Sequence, residues 1–216
     1  FKEKYEISFE GYYKRMDGVI EYTDGAEIFN IAGDWEDVVE VGKGWSYGAE
    51  VFVQKKVGKT TGWFGYTLSW TNRQFENLNQ GKPFPYRYDR RHDLSIVVTH
   101  EINDHIDIAG TWVYGTGNAI SLPLESYPTA PSLSSWQTDV KYFETRNGYR
   151  MKGYHRMDFG VNIHKELKRY KRTWSFGAYN VYNRQNPFFL TFQERYTGGT
   201  NAVQKKLIQY SIFPLI

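Results

Sequence analysis

Acids, bases and imidazoles stand close together at several points of this sequence. The densest group, Tyr88-Asp-Arg-Arg-His-Asp93, holds the carboxylate, guanidinium and imidazole groups that general acid–base catalysis uses. Neighbouring side chains of an extended segment point to opposite faces, so these groups do not converge on one point. We therefore predict a structural role, in which Asp89 forms an ion pair with an Arg of a neighbouring strand. The same reasoning applies to His155, Asp158 and His164.

A second acidic group consists of Asp34, Glu36 and Asp37, whose oxygens are ligands that Ca²⁺ prefers. Their spacing matches no EF-hand loop, so we predict no metal site here. The sequence also holds no G-x-S-x-G elbow, no H-E-x-x-H pair and no glycine loop that would cradle a phosphate. We predict no catalytic residue and no cofactor, and we do not expect the chain to be an enzyme.

Composition excludes several kinds of site and partner. The 216 residues hold no cysteine, which excludes disulfides and thiolate metal sites, and a net charge of +3 gives no reason to expect nucleic acid as a partner. The basic run at 165–172 is predicted to be a solvated turn. Aromatic residues make up 18% of the chain, which is typical of a membrane–water interface but also of an aromatic-rich soluble β-domain.

The sequence shows neither a transmembrane helix nor a signal peptide. The sequence contains no apolar run of about 18 residues, the length that predicts a transmembrane helix. Residues 1–5 lack the apolar centre of a signal peptide. If the protein is exported, we expect its signal to lie upstream of Phe1.

The elements that must position these side chains are β-strands, because apolar and polar residues alternate along stretches of about ten residues. In the clearest stretch, 61–70, Phe64, Tyr66 and Leu68 fall on one face, and small or polar residues fall on the other. We predict eight strands, at residues 4–15, 45–57, 61–75, 92–102, 105–116, 154–167, 172–186 and 203–213.

Each predicted strand has one apolar face and one face of small or polar residues, as strands between lipid and water do. The fold is therefore predicted to be all-β, an antiparallel transmembrane β-barrel. The residues predicted to face lipid are Phe64, Tyr66, Leu68, Ile96, Val161 and Ile163. The residues predicted to face a hydrated interior are Glu6, Glu10, Gly48, Glu50, Gly65, Thr67, Asp158, Gly160 and Asn162.

The predicted connections alternate in length along the chain. The short ones lie at 57–60, 103–104 and 168–171, and the long ones lie at 16–44, 76–91, 117–153 and 187–202. A soluble sandwich has no reason to place every long loop at one end, whereas a barrel inserted from the periplasm has short inner turns and long outer loops. We therefore predict one continuous sheet without a domain boundary, with the long loops outside the cell.

Five segments, in this order, resemble landmarks in the C-terminal barrel of TonB-dependent outer-membrane transporters. They are Gly44-Trp-Ser-Tyr-Gly-Ala-Glu50, Gly62-Trp-Phe-Gly-Tyr-Thr-Leu-Ser69, Tyr88-Asp-Arg-Arg-His-Asp93, Trp112-Val-Tyr-Gly-Thr-Gly117 and Tyr179-Asn-Val-Tyr-Asn-Arg-Gln-Asn-Pro187. The variant is most similar to receptors of Bacteroidota, a group that includes the SusC-like nutrient importers. The resemblance runs nearly from end to end.

This resemblance implies that residues 1–216 are the C-terminal part of a larger barrel of about 22 strands, of which this chain supplies about eight. The plug domain and the TonB-contacting segment are absent from this chain. The implied function is active, TonB-dependent uptake of a large or scarce nutrient, such as a glycan, a peptide or a metal chelate, across the bacterial outer membrane. Because Pro214 interrupts pairing and the family's last strand continues, we expect the final strand to be cut short.

The partners that the resemblance implies are TonB, reached through the absent N-terminal part, a SusD-like surface lipoprotein or other outer-membrane proteins, and outer-membrane lipid. Substrate binding is expected from loop aromatics, which could instead pack the loops or contact the lipoprotein. The candidates are Trp35, Phe84, Tyr86, Tyr127, Trp136 and Tyr142 in the loops, with Glu50 and Asp158 in the interior.

Three alternatives to transport stay open at this point. The barrel could be a scaffold in an outer-membrane assembly or secretion complex. The chain could form a small, stand-alone outer-membrane barrel. It could also be a soluble carbohydrate-binding β-sandwich, in which the apolar side chains of two stacked sheets meet each other.

Overall fold

A computed structural model describes residues 4–23, 35–122, 125–128, 139–142, 144–196 and 203–212; at 125–128, 139–142, 191–196 and 203–212 the description covers the backbone alone. The described residues are mostly antiparallel β-sheet, so the all-β prediction is confirmed. Two short 3-10 helices lie at Trp35–Val38 and Asn79–Gly81. The strands are β1 (Tyr5–Tyr22), β2 (Val39–Lys55), β3 (Thr60–Gln74), β4 (Phe84–Pro85), β5 (His92–Asn103), β6 (Ile106–Gly115), β7 (Ala119–Ile120), β8 (Glu125–Pro128), β9 (Asp139–Tyr142), β10 (Tyr149–Arg150), β11 (Tyr154–Leu167), β12 (Tyr170–Ala178), β13 (Asn186–Tyr196) and β14 (Val203–Ile212).

Seven long strands form one sheet in the order β1-β2-β3-β5-β6-β11-β12, and the short β4 pairs with β3. Every pairing along this path is antiparallel, and each long strand lies beside the one that precedes it in the chain. The sheet is open, with β1 and β12 as its two edge strands. Three further strand pairs, β7 with β10, β8 with β9 and β13 with β14, form separate two-stranded sheets.

The connections of the main sheet divide it into two different ends. Tight turns join β2 to β3, β5 to β6 and β11 to β12, and we call this the turn end. The long connections, at 75–91 and 116–153, lie at the opposite end, together with the connection from Tyr22 to Val39, and we call this the loop end. The alternation of short and long connections that the sequence predicted is therefore present in the sheet.

Strands β1 and β2 extend further toward the loop end than the sequence indicated. A loop was predicted over 16–44, but strand pairing continues as far as Tyr22 and Val39. The pairing shifts by one residue at Gly18, which has a φ of 72°, a left-handed conformation that glycine adopts without strain. This β-bulge interrupts the alternation of side chains in β1, so periodicity did not extend the predicted strand beyond it.

The predicted strand at 172–186 and the predicted loop at 187–202 are both wrong in part. Strand β12 ends at Ala178, and β13 occupies residues that were predicted to be loop and pairs with β14. Asn180 ends β12 because it has a φ of 53° and its side chain bonds both backbone groups of Arg184. The alternating pattern of apolar and polar residues at 172–186 therefore did not reveal the turn that Asn180 forms.

The described hydrophobic core is small and lies at the loop end. Phe75, Leu78 and Phe84 pack together, with the two phenyl rings 5.9 Å apart, and Val19 lies against them. The other buried hydrophobic residues are Ala119 and Met151. None of the buried hydrophobic side chains in the described part of the chain belongs to the seven long strands. The sheet itself is therefore not built around a core.

Replacing Gly42 with Ala should loosen this loop-end core. A Cβ atom at residue 42 would lie 2.4 Å from the ring of Phe75 and 2.4 Å from the carbonyl oxygen of Gln74, so the ring has to move. We expect the free energy of unfolding to fall by about 1–3 kcal/mol, the usual cost of overpacking. Gly110→Ala is the matched control, because its added Cβ meets no atom within 4 Å. Equal stabilities of the two variants in equilibrium unfolding would contradict the packing described here.

Candidate functional site

One face of the main sheet is apolar across its whole width. Residues that pair directly across neighbouring strands share a face. The row that crosses β1, β2, β3, β5, β6 and β11 consists of Ile7, Val53, Phe64, Ile96, Trp112 and Met157. We call this the apolar face, and all six residues predicted to face lipid, Phe64, Tyr66, Leu68, Ile96, Val161 and Ile163, lie on it.

The apolar face is uncovered at its edges. On the edge strand β1, Ile7 is 69% exposed and Phe9 is 73% exposed. Trp174 and Phe176 of the opposite edge strand β12 are exposed as well. Among the described residues, the segment from Tyr182 to β13 contacts β6 and β11 at one end of this face, and no second sheet packs over the rest of it.

The opposite, polar face carries mainly small, polar and charged side chains, together with a few larger ones such as Tyr12, Phe52 and Trp63. Glu10 of β1 pairs directly with Glu50 of β2, and the same row continues through Thr67 to Asp93. Two carboxylates opposite each other repel, so this row is stable only in water or near cations. All nine residues predicted to face a hydrated interior lie on this polar face.

Aromatic rings concentrate in the loop-end half of the apolar face. Tyr13, Tyr47 and Trp70 form one row, which we call the aromatic shelf; Tyr47 stacks on Trp70 with ring centroids 5.3 Å apart. The guanidinium of Arg91 lies 4.9 Å from the centroid of the Trp70 ring. Rings with apolar bodies and polar contacts at one end are typical of a boundary between an apolar medium and water.

A second aromatic group lies beside the shelf, and its polar atoms bond to each other. Tyr66 and His92 share a hydrogen bond of 2.8 Å between Oη and Nδ1. The indole N–H of Trp112 donates to Tyr182 Oη over 3.2 Å, and His155 Nδ1 lies 2.8 Å from the same hydroxyl. The polar atoms of Tyr66, Trp112 and Tyr182 thus have protein partners on this part of the apolar face.

Asp89 is the buried charge of the loop end, with 1% of its surface exposed. Its carboxylate accepts a hydrogen bond of 2.6 Å from the Thr71 N–H and forms ion pairs with Arg150 and, at 3.4 Å, with Arg91. Asp89 forms an ion pair, as predicted, but its main partner Arg150 comes from the short strand β10 and not from a neighbouring strand of the main sheet. Asp89 therefore ties the start of β5 to β3 and to the connection between β6 and β11.

A second set of contacts joins three connections at the loop end. Glu21 of β1 forms ion pairs with Arg73 of β3, at 3.2 Å, and with Arg146, at 3.5 Å. Arg146 also donates to the carbonyl oxygen of Tyr22 over 2.8 Å. The guanidinium of Arg73 lies 3.8 Å above the ring of Tyr86. Ion pairs, a hydrogen bond and a cation–π contact thus hold these connections of the loop end together.

The structure divides the predicted substrate-binding aromatics into different groups. Trp35 is 57% exposed and available to a ligand. The predicted exposure of Phe84 is wrong: its ring is 1% exposed because β4 folds back on β3 and places it in the core. Tyr86, predicted to be exposed, is half-buried beneath Arg73. Tyr127 and Tyr142 lie in β8 and β9, where the backbone alone is described, and Trp136 lies outside the described residues.

The two predicted interior carboxylates differ in their surroundings. Glu50 lies opposite Glu10, as described above, and is half-buried. Asp158 is held by Arg156 Nη2 at 2.9 Å and by the backbone N–H of Asn180, also at 2.9 Å. Its carboxylate therefore anchors the turn after β12, which makes a structural role its main one.

A polar network at the turn end was missed by sequence reasoning. Asp107 of β6 accepts a hydrogen bond of 2.8 Å from Asn162 Nδ2 and bonds to His164 Nε2. The other imidazole nitrogen of His164 lies 2.9 Å from the hydroxyl of Thr173. These side chains meet because the pairing of β6, β11 and β12 sets them side by side on the polar face, so a correct strand register was the signal that would have found them.

The sheet thus has one apolar face, one polar face, an aromatic shelf, and a loop end that ion pairs and hydrogen bonds hold together. No helix in the described ranges has the length and apolar character needed to span a membrane. The sequence matches no family model and no curated protein.

Proposed function

We propose that this chain forms part of the wall and the outer loops of a transmembrane β-barrel in the bacterial outer membrane. One observation carries the proposal: an apolar face extends over seven paired strands, and no layer of described residues covers it. A monomeric soluble protein rarely exposes a contiguous apolar patch of more than a few hundred Å². Lipid is the environment that satisfies such a face while water fills the other side.

The open edges of the sheet support a barrel as the form of this wall. In a bilayer, unpaired backbone groups of an edge strand have no water to bond, so spanning sheets close into barrels. Strand β1 runs for 18 residues and β12 for nine, and both are edges. Further strands that pair with both edges would complete a cylinder, and the resemblance to TonB-dependent transporters suggests about 22 strands in all.

The polar face favours a wide barrel over a small one. A barrel of about eight strands has an interior that side chains fill. Tyr12 and Trp63 lie close to Gly48 and Gly65, but a Cβ at Gly160 would meet no side chain within 4 Å, and the pair Glu10 and Glu50 requires water beside it. These features suit a large hydrated interior.

The activity that we propose for the whole protein is TonB-dependent uptake of a large or scarce nutrient, and no reaction is catalysed. Outer loops and a plug domain would bind the substrate, and TonB would pull on the plug to open a path along the wall. This chain would contribute wall and loops, with Trp35 as an exposed aromatic available for binding. The ion pairs at the loop end would hold the loops in a fixed arrangement, which a preorganised binding site needs.

Capture of TonB by the full-length protein tests this activity. Crosslinking in intact cells should trap TonB, and the yield should rise when the substrate is supplied, because the plug then presents its contact segment. Stable recovery of assembly or secretion components in place of TonB would favour the scaffold alternative. Recovery of the protein from the soluble fraction without detergent would contradict both.

A further inference from the structure

The apolar face changes its chemistry beyond the aromatic shelf. One step further toward the loop end, Arg15 pairs with Trp45, and the next step pairs Asp17 with Lys43. The side chains of Tyr13, Tyr47, Trp45, Arg15 and Lys43 line an open recess of about 450 Å³. A face that is apolar for most of its height therefore ends in a shallow, aromatic and basic recess.

The charges of this recess are available to a ligand. Arg15 has one acidic neighbour, Asp17, with Nε and Oδ1 3.6 Å apart, and both side chains are about 70% exposed, at 69% and 73%. A pair so exposed is held by less than about 1 kcal/mol, so a better partner can replace it. Lys43 is exposed and forms no ion pair with any described residue. Two cations against one carboxylate leave the recess positive.

We propose that this recess binds the phosphate of an anionic lipid headgroup in the membrane leaflet around the loop end. The proposal rests on the proposed function, because it needs the apolar face to lie in lipid. The rings of the shelf then mark the depth at which acyl chains end, and Arg15 and Lys43 stand just beyond them, where headgroup phosphates lie. Guanidinium and ammonium groups are the donors that bind phosphate most strongly.

The position of the recess identifies the ligand as a lipid. A soluble nutrient would enter from the polar face, whereas this recess opens on the face that carries Ile7, Val53 and Phe64. Lys14, between Tyr13 and Arg15, points to the opposite face and pairs with Ser46. The two faces of one short segment therefore separate a lipid-facing cation from an interior one.

Native mass spectrometry of the full-length protein, purified in detergent, tests this assignment. The probes are lipid A with two phosphates, lipid A with one, and zwitterionic phosphatidylcholine. We expect Arg15→Gln combined with Lys43→Gln to weaken binding of diphosphorylated lipid A by about 30-fold, since each basic residue near a headgroup contributes about fivefold. The matched control, Lys14→Gln combined with Lys82→Gln, removes the same charge and should bind as the unmodified protein does.

Two results would overturn the assignment while leaving the barrel intact. The first is equal binding of diphosphorylated lipid A by the two double variants. The second needs no variant: affinity that does not depend on the number of phosphates would mean that Arg15 and Lys43 merely reach toward water. Failure of the unmodified protein to enter bilayers at all would instead remove the proposed function, and the lipid site with it.

Discussion

Replacing Ile96 with Arg should lower the free energy of unfolding from a lipid bilayer by about 2–4 kcal/mol, the cost of a cationic side chain near the middle of a barrel's lipid face. Ile96 lies between Phe64 and Trp112 in the central row of the apolar face. If lipid covers this face as proposed, an Arg there would have no water within reach, and it has no acidic neighbour in its row. Denaturant titration of the protein folded into phospholipid vesicles measures the loss.

Ser95→Arg is the control, because it places the same group one residue away on the polar face. The cross-strand partners of Ser95 are Gly65 and Val113, which leave room for a long side chain. We expect its stability to stay within about 0.5 kcal/mol of the unmodified protein, as for most surface changes. Equal losses at the two positions would contradict the assignment of the faces.

Replacing Asp89 with Ala should cost about 3–5 kcal/mol of unfolding free energy, because it leaves the buried end of Arg150 without its counter-charge. The change also removes the acceptor of the Thr71 N–H, so a buried backbone donor loses its partner. We therefore expect the connection between β3 and β5 to detach from the sheet. Equilibrium unfolding, followed by tryptophan fluorescence, measures the effect.

The comparison for Asp89 is Asp93→Ala, four residues further along the same segment. Asp93 pairs with Arg90 at 3.3 Å, but both side chains are about half exposed, at 44% and 49%. Solvent screens such a pair, so its loss should cost less than about 1 kcal/mol. If Asp89→Ala were as mild as Asp93→Ala, the buried ion pair would not hold the loop end together.

The alternation of side chains was enough to predict which residues share a face. Period-2 patterning places every second residue on one side of a strand, and strand pairing preserves that assignment from one strand to the next. That Phe64 and Ile96 each lie on the apolar face of their strands follows from this rule, whereas their direct pairing is a matter of strand register. It fails where the backbone departs from the regular strand, as at the bulge of Gly18 and the turn of Asn180.

The alternation of apolar and polar residues could not predict contacts between segments that are distant in sequence. The segment around Phe84 has the glycine, proline and asparagine of a surface loop, yet its ring is buried because Phe75 and Leu78 receive it. That Asp89 forms an ion pair was predictable, because it is a carboxylate in a charged segment next to a predicted strand. Its partner, Arg150, lies 61 residues away, and only the folded connections bring the two together.

Single-cysteine scanning along β5 tests the central claim most directly, since the chain has no cysteine of its own. A fluorophore at each position from 93 to 98, in the full-length protein in vesicles, is exposed to a quencher on the lipid chains and to a quencher dissolved in water. We expect the lipid-borne quencher to act at 94, 96 and 98, and the aqueous quencher to act at 93, 95 and 97. Protection of 94, 96 and 98 from both quenchers would show that protein, not lipid, covers the apolar face, and would contradict the account.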